Sequence, residues 1–159
     1  MLQTDNGYAR DNGGRPLNSI IIENGTKAIR NNSYSGNTEI NSVTVADNVM
    51  EIGIGAFSNC KNLETVRLNK GLTRLKKEVF SGCERLKEIN IPDTLQSIGE
   101  WAFRGCKSLK GLNIPESVTD ICAESFLDCP DLTIYAKEGS YAAGYAKKAG
   151  IPLKKTDTH

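Results

Sequence analysis

The 159-residue chain has a single histidine, His159, and it is the last residue. No Cys-His or Ser-His-Asp constellation can be built around a frayed terminus, and a zinc site would lack imidazole. A phosphate-cradling glycine loop is missing as well. The carboxylates Glu51, Glu64, Glu78, Asp93, Glu100 and Asp128 are scattered, with no pair spaced for acid–base work. The expectation is a protein that is not an enzyme, with no catalytic residue, no metal and no cofactor.

Charge of one sign is also missing. Twenty basic side chains meet 19 acidic ones, leaving a net charge of +1. A protein that neutralises many phosphates needs a basic field, so nucleic acid is excluded as the partner. No apolar run approaches bilayer length, and Met1 to Tyr8 holds no basic stretch followed by an apolar core. Neither membrane insertion nor an export signal is expected in this stretch.

What the sequence does have is a period. Cys60, Cys83, Cys106 and Cys129 are 23 residues apart, and so are Phe57, Phe80, Phe103 and Phe126. Leu17, Ile40, Leu63, Leu86, Leu109 and Leu132 keep the same step. Val66, Leu68, Leu72 and Leu75 become Ile89, Ile91, Leu95 and Ile98, then Leu112, Ile114, Val118 and Ile121. The first copy is degenerate, with Tyr34 for Phe and Asn37 for Cys; a terminal repeat has one neighbour, so polar substitution costs less desolvation there.

Val66 and Leu68 are two apart, so an extended strand turns both inward and turns Thr65, Arg67 and Asn69 outward. Leu72 to Leu75 reads as a second extended stretch, and Val79, Phe80 and Cys83 as a helical turn at a corner. Gly53, Gly99, Pro92 and Pro115 fit turns between the stretches. No unit buries its apolar slots alone, so stacked units must supply the core. The expected fold is an α/β solenoid: a right-handed coil of about five 23-residue units (17–39, 40–62, 63–85, 86–108, 109–131) with a parallel sheet on one face.

After Leu132, Thr133-Ile134-Tyr135-Ala136 reads as a final strand. Ser140 can cap a short helix from Tyr141 to Ala149, stopped by Gly150 and Pro152. Residues 132–153 are thus expected to be a C-terminal cap and 154–159 a solvated tail. Residues 1–16, rich in Asn, Gly and Asp, read as a flexible segment; their Asp-Asn-Gly pieces lack the further ligands of a calcium loop.

The unit Leu86 to Cys106, LKEINIPDTLQSIGEWAFRGC, resembles the BspA-like, or Treponema-type, leucine-rich repeat, whose motif runs Leu-x-x-Ile-x-Ile-Pro-x-x-Val-x-x-Ile-Gly-x-x-Ala-Phe-x-x-Cys. Lys76 and Cys122 depart from it at the Gly slot, and Val79 and Ser125 at the Ala slot. The resemblance implies a leucine-rich repeat coil and an adhesin-like, extracellular or cell-surface domain that engages host, matrix or other macromolecules. The alternatives are a rigid spacer within a longer surface protein and an intracellular, cytoplasmic scaffold.

The outward strand positions form a grid running from Ser19, Ile21 and Glu23 through Ser42, Thr44 and Ala46 to Gly111. Within it the candidate binding residues are Thr44, Thr65, Arg67, Asn69, Glu88, Asn90 and Asn113. An extended polar face of this kind suits a protein or glycan partner. Trp101 is a separate candidate, because its column holds Asn32, Gly55, Glu78 and Glu124 elsewhere. The cysteine column is expected to pack as small apolar side chains. Cys122 stands outside it, in a column suited to the surface, and is expected to be the thiol that reagents reach first.

Overall fold

The computed structural model describes residues 18–22 and 25–156. The readings made for 1–16, Leu17, Glu23 and His159 lie outside the described residues.

Each repeat makes one turn with three sides. The first side carries β1 (Ser19–Ile22), β3 (Ser42–Val45), β5 (Thr65–Arg67), β7 (Glu88–Ile89), β9 (Gly111–Asn113), β11 (Thr133–Lys137) and β12 (Leu153–Thr156). Every hydrogen-bonded pair among them is parallel, and Ile20, Val43, Val66 and Ile89 face one another across the ladder, as the 23-residue step requires. The second side carries the two-residue strands β2 (Ala28–Ile29), β4 (Glu51–Ile52), β6 (Arg74–Leu75), β8 (Ser97–Ile98) and β10 (Asp120–Ile121), again parallel.

Among the described residues the third side has no strands, yet its backbone is also satisfied by the neighbouring turn. The N–H groups of Asn32, Tyr34 and Gly36 donate to the carbonyls of Ile54, Ala56 and Ser58 at 2.9, 2.8 and 2.8 Å, and Gly55, Phe57 and Asn59 repeat this onto Lys77, Val79 and Ser81. The corner expected to be a helical turn is a chain of tight turns instead. Ser81 N–H donates to Glu78 and Cys83 N–H to Phe80, three residues back. Left-handed residues at this corner, two in each repeat except 109–131, which has one, prevent a helix: Asn32, Gly55, Glu78 and Trp101 have φ of 57, 61, 57 and 56°, and Gly36, Asn59, Gly82, Gly105 and Asp128 have 75, 56, 74, 71 and 59°.

Between the sides runs one continuous core. Phe57, Phe80 and Phe103 are fully buried and stack between Tyr34 and Phe126, with successive ring centroids 5.3, 5.7, 5.7 and 5.2 Å apart. Offset stacks of this spacing contribute beyond simple area burial. The cysteine column is more than apolar filler. The Sγ atoms of Cys60, Cys83, Cys106 and Cys129 donate to the carbonyls of Tyr34, Phe57, Phe80 and Phe103 at 3.2, 3.1, 3.3 and 3.0 Å.

Gly53 and Gly99 are needed for closeness rather than for a turn conformation. A Cβ on Gly53 would lie 2.4 Å from Asn31 N, and one on Gly99 2.8 Å from Lys77 N.

At the C-terminal end α1 (Tyr141–Ala149) has Ser140 as its N-cap, accepting from Ala143 N–H, and Gly150 at φ 71° as its C-cap. Lys147 and Lys148 lie in the last turn, where the helix dipole favours cations. Tyr145 closes the aromatic stack against Phe126 at 6.0 Å. Lys154–Thr156, expected in a solvated tail, are instead strand: β12 pairs with β11 through Ile134↔Leu153 and Lys137↔Thr156. β11 itself is a sixth rung of the coil, paired with β9.

Candidate functional site

The first side's ladder is interrupted once. β1, β3, β5 and β7 form one hydrogen-bonded sheet, while β9, β11 and β12 form another. Across this seam lies an open cleft of about 1130 Å³ on the outer face of the strands. Thr44, Thr65, Arg67, Asn69, Glu88, Asn90 and Asn113 all line it. The strand pattern therefore brings together every candidate binding residue except Trp101.

These seven do not play one part. Arg67, Glu88 and Asn113 are exposed, and among the described residues no ion pair or side-chain hydrogen bond engages any of them. Their charged or amide heads are open to a ligand. Thr44 and Thr65 are half-buried beside them.

Asn69 requires a correction: expected in solvent, it is 3% exposed. Its Nδ2 donates to the carbonyls of Ala46 and of Val49, the latter at 2.8 Å. Its Oδ1 accepts from Gly71 N–H at 2.9 Å and Leu72 N–H at 3.1 Å. All the amide's hydrogen-bonding capacity is spent on backbone, so Asn69 shapes the cleft wall rather than reaching a ligand. Asn90 is exposed, but its amide is occupied: Oδ1 accepts from Leu68 N–H at 2.7 Å and Nδ2 donates to Leu68 O at 3.0 Å. Its side chain stands in for ladder bonds where β7 ends.

The sequence pattern missed Tyr135, which lines the same cleft from β11. A strict 23-residue step from Leu112 would turn Tyr135 inward. The register instead pairs Ile134 with Leu112 and Tyr135 with Asn113, a 22-residue step, and a slip of one residue exchanges the two faces of a strand. The alternation Thr133, Tyr135 outward against Ile134, Ala136 inward was the available signal. The ring rests beside the bare backbone of Gly111, where a Cβ would come within 3.2 Å of it, and Lys154 Nζ lies 5.7 Å from its centroid.

Trp101 lies elsewhere. Its Nε1 donates to Glu124 Oε2 at 2.6 Å, Lys77 Nζ is 4.8 Å from the ring centroid and Arg104 Cζ is 5.1 Å away. The polar column that marked it is left-handed at Asn32, Gly55, Glu78 and Trp101, and Asn and Gly stand there because they adopt that conformation at least cost.

Burial pushes the Cys60 thiol up to about 12 and the Cys129 thiol up to about 11, and raises those of Cys83 and Cys106 further. Such groups are protonated at neutral pH and poor nucleophiles. Among the described residues no three His, Cys, Asp or Glu side chains gather as a metal site would require. No helix there is long and apolar enough to cross a membrane.

Residues 12–133 match the model of the BspA type leucine rich repeat region, in six copies. The chain belongs to this family. Among solved structures, the repeat protein is similar to a leucine rich cell surface protein from Faecalibacterium prausnitzii, with 28% identity and a TM-score of 0.74, over 96% of this chain and 38% of that one. It is also similar to a leucine rich repeat protein of T. pallidum, with 26% identity and a TM-score of 0.71, over 80% of this chain and 67% of that one. The pneumococcal vaccine antigen PcpA, at 17% identity and a TM-score of 0.71, shares the fold over 99% of this chain and 46% of its own. This chain thus spans well under half of the first relative's length. No curated protein matches it.

Proposed function

We propose that this repeat protein is a non-catalytic binding module of the extracellular space or cell surface, whose strand face engages a protein or glycan. One observation carries the reading: the cleft across the β7–β9 seam collects Arg67, Glu88 and Asn113, which have no ion pair or side-chain hydrogen bond among the described residues. Charged and amide groups on a folded surface usually find a neighbour or point into open solvent; here three converge on one concavity. The relative described as a cell surface protein supports the compartment.

The test is saturable binding of the labelled chain to cultured epithelial cells, comparing wild type with Arg67→Glu/Glu88→Lys. These two residues are exposed, so the variant should fold. A binding module loses its saturable component in the variant. Absence of saturable binding by wild type removes this reading and leaves the rigid spacer, whose family likeness is equal and whose surface charges are free to change.

A further inference from the structure

The same cleft identifies the chemistry of its occupant. We infer that the cleft binds a saccharide chain, with Tyr135 as a stacking platform and Arg67, Glu88 and Asn113 as its hydrogen-bonding groups. The inference rests on the strand-face reading above.

Three features separate a sugar from a protein surface. Protein interfaces are anchored by large apolar or aromatic side chains that become fully desolvated at their centre. Among the described residues the exposed large hydrophobics are Ile21, Met50, Ile54, Leu127 and Tyr141, and none of them lines the cleft, whose own Leu68, Ile91 and Leu112 are buried in the core and Ile89 half-buried. What the cleft offers instead is planar, bidentate polar groups: a guanidinium, a carboxylate and a primary amide. Each can engage two adjacent hydroxyls, and together they supply both donors and acceptors, as a sugar's hydroxyls require.

The second feature is the single aromatic ring. Tyr135 is half-buried on β11, directly across from Asn113 on β9. Gly111 leaves bare backbone beside the ring, so its edge sits low against the sheet. The apolar C–H face of a pyranose, carrying slight positive charge, matches the negative face of such a ring. Lys154, exposed and held among the described residues only by its contact with this ring, sits on a flexible stem that can swing aside. The third feature is balance. Arg67, Lys70 and Lys87 line the cleft with Asp47, Glu88 and Asp93, so the lining has no net field for a polyanion, which removes nucleic acid and strongly sulfated chains.

The experiment uses the full chain on an array of defined neutral and sialylated oligosaccharides. A parallel arm uses immobilised mucin before and after chemical deglycosylation. The variants are Glu88→Gln, Asn113→Ala, Tyr135→Phe and Tyr135→Leu, each checked by thermal melting. Wild type should bind a discrete set of oligosaccharides and native mucin. Glu88→Gln and Asn113→Ala should weaken this about tenfold or more, the worth of one hydrogen bond to a charged or well-placed group. Tyr135→Phe should bind and Tyr135→Leu should not. A purely structural tyrosine predicts that Leu, which can still pack beside Gly111, binds as well as Phe. If wild type binds mucin equally after deglycosylation, and Arg67→Glu/Glu88→Lys removes that binding, the saccharide inference is overturned while the binding-module reading stands. If wild type binds neither array nor mucin, the saccharide inference is overturned outright, and the epithelial-cell assay alone decides the broader reading.

Discussion

The Cys83 Sγ donates to the carbonyl of Phe57, 3.1 Å away and one turn back in the coil. The same bond recurs at Cys60, Cys106 and Cys129, so the cysteine column is a ladder of thiol donors to carbonyls that each also accept the N–H three residues on. Alanine at Cys106 removes the sulfur from a fully buried site and takes the second of two donors from the Phe80 carbonyl, which keeps the N–H of Cys83. The expected loss is about 1–2 kcal/mol, from the cavity and the lost thiol hydrogen bond together. Serine keeps a donor but places a more polar, smaller group in the column. Urea denaturation of Cys106→Ala and Cys106→Ser checks this; two variants as stable as wild type would remove the ladder from the account.

The raised thiols also give the fold an alkaline limit. A thiol whose folded value lies above its ordinary value of 9.0 holds its proton more tightly when folded. Its contribution is whole below pH 9 and declines as pH rises toward the folded value, about 11 for Cys129 and about 12 for Cys60. Tyr145, raised to about 12 chiefly by burial, adds in the same direction. Melting temperature should therefore fall between pH 9 and 11, and fall less in Cys129→Ala/Cys60→Ala. An identical slope in that double variant would assign the decline to other groups.

Thiol labelling at neutral pH should separate the five cysteines. Cys122 and Cys129 are half-exposed, whereas Cys60, Cys83 and Cys106 are buried. Cys129 donates to Phe103 and its thiol is raised, which leaves Cys122 as the fast site. Under native conditions one equivalent should react ahead of the rest, and Cys122→Ser should remove that phase. A fast phase of unchanged size in the variant would overturn the assignment.

Two neighbours in the cleft should behave oppositely. Arg67→Ala removes an exposed side chain with no ion pair or side-chain hydrogen bond among the described residues and should change stability by no more than about 0.5 kcal/mol. Asn69→Ala leaves two N–H groups and two carbonyls without their amide, and should cost about 2–3 kcal/mol. Chemical denaturation of the two variants reads the difference directly. Equal losses would return Asn69 to the surface role that the strand pattern assigns it.

That pair also marks how far the sequence could be read. The repeat frame places the strands, the aromatic stack and the cysteine column, because a fixed step repeats a fixed packing environment. It fails where local chemistry outruns the period. Asn69-Lys-Gly71 has the Asn whose side chain bonds two residues on, and that turn chemistry takes precedence over strand alternation. At Tyr135 the step is 22 instead of 23, so the frame points the ring the wrong way. At Trp101 a shared backbone conformation was read as shared exposure. In each case the deciding contact joins a side chain to the backbone or spans two turns, information that a column of residue types does not hold.

Glycines in this coil serve two different constraints, and substitution can tell them apart. Gly36 has φ of 75° with nothing within 4 Å of a Cβ, so its constraint is conformational. The same column holds Asn59 and Asp128, also left-handed. Gly36→Ala should therefore cost about 1 kcal/mol and Gly36→Asn clearly less, because Asn visits that region more readily. At Gly53 the constraint is space: a Cβ would meet Asn31 N at 2.4 Å and Arg30 C at 2.6 Å, both backbone atoms that cannot step aside. Alanine there must push apart two turns that Gly53 N–H ties to Ile29 O at 2.8 Å, with an expected cost above about 2 kcal/mol. Asn at Gly53 should be worse than Ala, the reverse of the order at Gly36. The third turn shows the alternative solution, since Lys76 fills the matching slot and pairs with Glu51 where β4 and β6 are not hydrogen-bonded. Urea midpoints for the four variants measure both orders, and the same order at both glycines would mean that close approach is not what selects glycine at position 53.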